Sequence, residues 1–248
     1  MPDPGKMLQR EQAKLPPSAK SPCLKIRVGE VSKSLPTMSG ASGGRWLRVL
    51  LGVALLISLS SQPAAARKYP KIFGSIELFS KKTSRFPRWV GMLDRFQDGE
   101  RLCSSNTCTT KGWKELIAGL QGKDLGTQLR EVHRTLNAKP YILDIKNWGE
   151  EDYWATPYQF LKKDGDCEDY AIAKYMALKA LGVPIEDMRI VALEDLNLKL
   201  GHAVLVVYTG EEPMMLDNQI SSVVPANSVR HYKPVFSINE TGWWLHRR

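Results

Sequence analysis

The chain has 248 residues and a formal net charge of +9, with 35 Lys and Arg against 26 Asp and Glu. Residues 1–66 carry nine basic and three acidic residues, while the remaining 182 are near balance at 26 and 23. After residue 66 the basic residues are scattered, without the runs of a phosphate-tracking surface, so no nucleic-acid partner is expected.

Residues 1–37 are rich in Pro, Ser and Lys, lack periodicity, and read as a disordered extension or as sequence upstream of a true start at Met38. The alternative is a leader with an unusually long basic front. Residues 38–66 read as a signal peptide. Arg45 and Arg48 precede the apolar run VLLGVALLISL (Val49–Leu59), and Ala64-Ala65-Ala66 supplies a small-residue cleavage site. Eleven apolar residues fall short of the roughly 20 that span a bilayer, so an anchor is the weaker reading. Cleavage after Ala66 leaves residues 67–248 as one exported domain.

In that domain FPRWVGMLDRFQ (Phe86–Gln97) places Trp89, Met92, Leu93 and Phe96 on one helical face. Cys103 and Cys108 follow. They either close a small disulfide loop in an oxidising compartment or remain two loop thiols. Gly112–Leu120 and Leu125–Leu136 read as helices, the second with a Leu129, Val132, Leu136 stripe. Trp148–Leu161 reads as an aromatic-rich loop leading into a short helix. Cys167–Leu181 is an Ala-rich helix with Ala171, Tyr175, Leu178 and Leu181 on one face, ended by Gly182 and Pro184. The period then changes. Met188–Leu193, Gly201–Thr209 and Pro213–Gln219 read as strands, with further extended segments at Val223–Val224, Val235–Ile238 and Trp243–Leu245. Helices followed by an antiparallel sheet indicate an α+β domain.

The chemistry gathers around DGDCEDYAIAKY (Asp164–Tyr175). With Cys23 removed on export, Cys167 is the leftover cysteine and a candidate reactive thiol. It stands at a helix start, where unpaired N–H groups and the helix dipole favour a thiolate. A nucleophile needs a base, and the base an orienting group. His202 opens the strand HAVLVVY on the face of Val204, Val206 and Tyr208, whereas His133 lies in an early helix and His231 and His246 in less regular sequence. If Gly210-Glu211 are the two residues of a hairpin turn, Val204 faces Asp217, and Asp217 lies diagonal to His202 on the same face. A slip of one residue would reverse that face. Asp166, Glu168 and Asp169 either complement the helix dipole or hold a cation. Clustered carboxylates suit Ca²⁺, which would cancel their repulsion of a thiolate.

GDCEDYAIAKY, then GHAVL, then LDN on the next strand resemble the bacterial transglutaminase-like cysteine proteinases. KIFGSIELF and NWGEEDYWATPYQFL are similar to segments of the same family, so the resemblance spans roughly Lys71 to Asp217. It implies a papain-like/transglutaminase-like fold with N-terminal helices packed on the sheet, and a triad of Cys167 as nucleophile, His202 as base and Asp217 as orienter. It further implies calcium held by Asp166, Glu168 and Asp169. The family also draws an Asn ligand from the preceding helix; near that place REVHRTLN offers Asn137 or His133, and His133 departs from the pattern. The family's periplasmic members cleave a large surface adhesin near a di-alanine site, dispersing biofilm, and an inner-membrane cyclic-di-GMP receptor inhibits them. Two other readings remain: an acyl transferase using the same thioester, and a non-catalytic calcium-binding adaptor.

Overall fold

The computed structural model describes residues 69–99, 108–210 and 212–247. The N-terminal extension, the signal peptide and Cys103 lie outside the described residues. Six α-helices are described: α1 (Pro87–Gln97), α2 (Lys111–Leu120), α3 (Leu125–Asn137), α4 (Asp144–Asn147), α5 (Pro157–Lys163) and α6 (Cys167–Ala180). The strands are β1 (Ile76–Ser80), β2 (Met188–Asp195), β3 (Leu200–Tyr208), β4 (Pro213–Leu216), β5 (Val224–Pro225), β6 (Tyr232–Asn239) and β7 (Gly242–Arg247). They form one antiparallel sheet in the order β1-β7-β6-β2-β3-β4-β5. The α+β expectation is met.

Period-two alternation in β2 and β3 buries both faces of the sheet. Ile190, Ala192, Ala203, Leu205 and Val207 join the large core shared with the helices. Val191, Leu193, Val204, Val206 and Tyr208 join a smaller core with Ile72, Phe73, Val229 and Tyr232 on the opposite face. Such two-sided burial explains why these strands read as near-continuous apolar runs.

α6 packs across β2 and β3 and is covered on its other sides by α2, α3 and α5. Every residue from Cys167 to Leu178 is therefore buried, including Glu168, Asp169 and Lys174. A single apolar face was expected; a helix enclosed on all sides has none. One expected strand is shortened, since β4 ends at Leu216. The short helix expected after the aromatic-rich loop is α5, with Pro157 as its first residue, where its missing N–H is harmless. β1 was not anticipated. Its residues are mostly exposed or half-buried and show no alternation.

Candidate active site

α6 begins at a constrained turn. Asp164 holds φ 61°, ψ −167°, a region that non-glycine residues rarely occupy. The turn is held by Ile142 N–H donating to Gly165 O (2.9 Å), by Asn147 Nδ2 donating to the carbonyls of Lys163 (3.0 Å) and Asp164 (3.3 Å), and by a Lys139–Asp164 ion pair (2.7 Å). Asp166 returns to extended backbone and its N–H donates to Asp169 Oδ2 (3.3 Å), which leads the chain into the first helical turn. Cys167 is the first residue of that turn and is fully buried. Its Sγ lies 3.3 Å from Glu168 Oε2. Both described cysteines, Cys108 and Cys167, are in disulfide form. In that form Cys167 is no nucleophile, and a thiolate requires its reduction.

The β3–β4 hairpin sets the second element of the site. Its register, Leu205 opposite Leu216 and Val206 opposite Met215, extends to Val204 opposite Asp217, as the two-residue turn required. His202 Nε2 lies 2.8 Å from Asp217 Oδ1. Asp217 is fully enclosed, and it also accepts from Gln219 N–H (2.8 Å, Oδ1) and Tyr232 O–H (2.7 Å, Oδ2). Burial alone would raise the Asp217 carboxyl. The adjacent His202 and these hydrogen bonds outweigh it and hold the group at about 2. An ionised Asp217 fixes the ring proton on Nε2. That leaves Nδ1, which is buried and has no hydrogen-bond partner among the described residues, as an acceptor. His202 is close enough to Asp166, the residue before Cys167, to lower that carboxyl, so sheet and helix bring the two ends of the site together.

Neither Tyr232 nor Gln219 was singled out in the sequence. Both become visible only when β6 and the loop after β4 close around Asp217. α3 braces that loop from behind: Asn137 Nδ2 donates to Asp217 O (2.9 Å) and Ile220 O (3.3 Å), and His133 Nε2 meets Ile220 O (2.9 Å). Burial pushes His133 down to about 4, so its ring is neutral. Asn137 thus has its amide turned to the Asp217 loop. His246, read as lying in irregular sequence, is instead buried on β7 between Ser75 Oγ (2.6 Å) and Ser237 Oγ (2.9 Å).

The acids form two overlapping groups. Asp144, Asp166 and Asp169 each bring an oxygen within 4.8 Å of the others, as do Asp144, Asp152 and Glu168. Asp144 opens α4, and Asp152 comes from the loop before α5. Both were missed; the acid run Glu150-Glu151-Asp152 was the only sequence signal for either. Burial, reinforced by neighbouring carboxylates, raises Asp144 to about 7 and drives Glu168 and Asp169 well above the usual carboxylate range. Burial lifts Asp166 to about 6. Asp144 Oδ1, Asp166 Oδ1 and Glu168 Oε1 are buried without a hydrogen-bond partner among the described residues. Orphaned buried oxygens in an all-carboxylate pocket fit a hard divalent cation, which takes six to eight oxygen ligands and would let these groups ionise.

This constellation matches a family model, bacterial transglutaminase-like cysteine proteinase, over residues 101–246. The chain belongs to that family. Its α+β fold is the papain-like fold of these proteinases, and its class of activity is that of a cysteine protease. Among solved structures, Legionella pneumophila LapG in EGTA-treated form is 34% identical with a TM-score of 0.53, over 63% of this chain and 86% of that one. The calcium-bound form of the same Legionella protein is 34% identical with a TM-score of 0.52, over 62% and 87%. These likenesses make the chain a LapG-type member of the proteinase family. No curated protein sequence matches it.

Proposed function

We propose that this proteinase is a calcium-dependent endopeptidase in which Cys167 is the nucleophile, His202 the base and Asp217 the orienter. The observation that carries the reading is His202 itself: Nε2 held by an enclosed carboxylate at 2.8 Å, Nδ1 buried and without a hydrogen-bond partner among the described residues. Once reduced, Cys167 gives its proton to His202 Nδ1, and the thiolate is favoured by the unpaired N–H groups at the start of α6. The thiolate attacks a peptide carbonyl, His202 returns the proton to the departing amine, and water hydrolyses the thioester with His202 again as base. Asp217 holds the ring in the required tautomer throughout. Asp144, Asp152, Asp166, Glu168 and Asp169 hold calcium, the ion named for the Legionella relative, which neutralises the acids beside the sulfur.

We place the enzyme in the periplasm on the strength of its N-terminal sequence. No helix among the described residues is long and apolar enough to cross a membrane. Its substrate is a large surface adhesin cut near a di-alanine site, with release of biofilm as the outcome and a cyclic-di-GMP receptor of the inner membrane as inhibitor. These assignments rest on the family resemblance. The test is incubation of the exported domain with an adhesin N-terminal fragment, with reductant, with and without excess chelator. Cleavage that needs both reductant and calcium and yields free carboxyl ends supports the reading. Amine adducts at the cut position would assign a transferase, and intact substrate under all conditions would leave only the adaptor.

A further inference from the structure

A cavity of about 640 Å³ opens between the Ile72–Gly74 and Ala226–Ser228 turns, lined by Lys71, Phe73, Gly74, Asn227, Val229 and Arg230. It abuts the His202 half of the site. The Phe73 ring stands edge-on to Tyr232 at 6.0 Å, and Tyr232 stands 5.7 Å from the His202 ring. Those two spacings put the cavity wall within about four extended residues of His202. Its chemistry is one-sided. Lys71 and Arg230 are exposed at the rim, and neither has a carboxylate partner among the described residues. Phe73 and Val229 form an apolar floor, and the space above Gly74 is open. The domain as a whole is nearly neutral, so two unpaired cations on one cavity are a local feature and not part of a basic field.

We propose that this cavity is a substrate subsite that takes an acidic side chain, Asp or Glu, three or four residues from the scissile bond. The carboxylate lies between Lys71 and Arg230, whose fork suits it, and its methylene stem rests on Phe73 and Val229. The inference rests on the endopeptidase reading above. It adds to that reading a preference in the substrate that the reacting groups do not supply.

The probes are two fluorescein-labelled twelve-residue peptides centred on Ala-Ala, one with Asp at the third and fourth positions on each side and one with Asn there. Anisotropy with the Cys167→Ala protein, saturated with calcium, is expected to show the Asp peptide binding about tenfold more tightly. The preference should shrink as salt is raised, because both cations are exposed. Lys71→Gln/Arg230→Gln should abolish it without lowering the melting temperature, and Asn227→Asp should weaken it independently. Equal binding of the two peptides, or a preference that survives both variants, overturns the subsite. Reduced wild-type enzyme separates this from the parent reading: cleavage of both peptides with equal KM overturns the subsite while keeping the protease. Selective binding without cleavage keeps the subsite and overturns the protease assignment.

Discussion

Tyr232 gives its phenolic hydrogen to Asp217 Oδ2 at 2.7 Å, in a place where water cannot substitute for it. Hydrogen bonds to charged groups contribute about 1.5–3 kcal/mol. Tyr232→Phe is therefore expected to lower kcat by about tenfold or more while leaving KM near its wild-type value, measured by steady-state cleavage. Lys174 makes the opposite case. It is fully buried within α6, its Nζ has no hydrogen-bond partner among the described residues, and burial brings the amine from 10.5 down to about 7. Between those two values the unfolded chain binds more protons than the folded one, so this residue makes stability rise with pH across that window. Lys174→Met removes the penalty. It should raise the melting temperature most at pH 6, with the gain shrinking by pH 9.5, and thermal melts at both pH values check this. A variant that melts lower than wild type at pH 6 would show that the attraction of Asp217 and the Tyr170 ring for the amine outweighs the cost of its burial.

The first turn of α6 supports both the sulfur and the acids. At Gly165 a side chain has no room: its Cβ would overlap Asp169 Oδ2 and lie 2.7 Å from Asp169 Cβ. Gly165→Ala should displace Asp169, weaken calcium binding by calorimetry, and lower the melting temperature of the calcium-loaded protein. Glu168→Gln is expected to abolish the rise in melting temperature that calcium gives the wild type, since a neutral amide replaces one of the clustered carboxylates. Much of this element could be read beforehand, because GDCED sits between a glycine turn and an unbroken run of helix formers. The hairpin was legible for a similar reason: a two-residue turn leaves a single register, and parity then puts Asp217 on the face of His202. Asp144 and Asp152 were not legible. They arrive from a one-turn helix and an irregular loop, where spacing along the chain carries no information about proximity. β1 was hidden because an edge strand with most of its side chains outside has no alternation to detect.

The whole domain is closed at one end by β1, which pairs with β7 and brings Glu77 to Arg189 at 2.6 Å. Arg189 is buried, with its guanidinium 3.7 Å above the Trp244 ring. Removing one member of such a pair leaves an uncompensated charge at a cost of about 3 kcal/mol. Glu77→Ala should lose that much in urea unfolding even though the residue is far from the chemistry in sequence. Near the centre of the same domain, α6 is enclosed by the sheet and three helices, so twelve consecutive residues, Cys167 to Leu178, are buried. The consequence concerns how the protein drifts. On an ordinary surface helix about half the positions are free to vary; here none is, because every side chain meets a neighbour of fixed volume or fixed charge. Saturation mutagenesis scored by folding alone, with no substrate present, would show one unbroken band of intolerance across this stretch. A signature that dense persists for reasons of space as much as of reaction, so a relative that had lost its activity would still carry most of it.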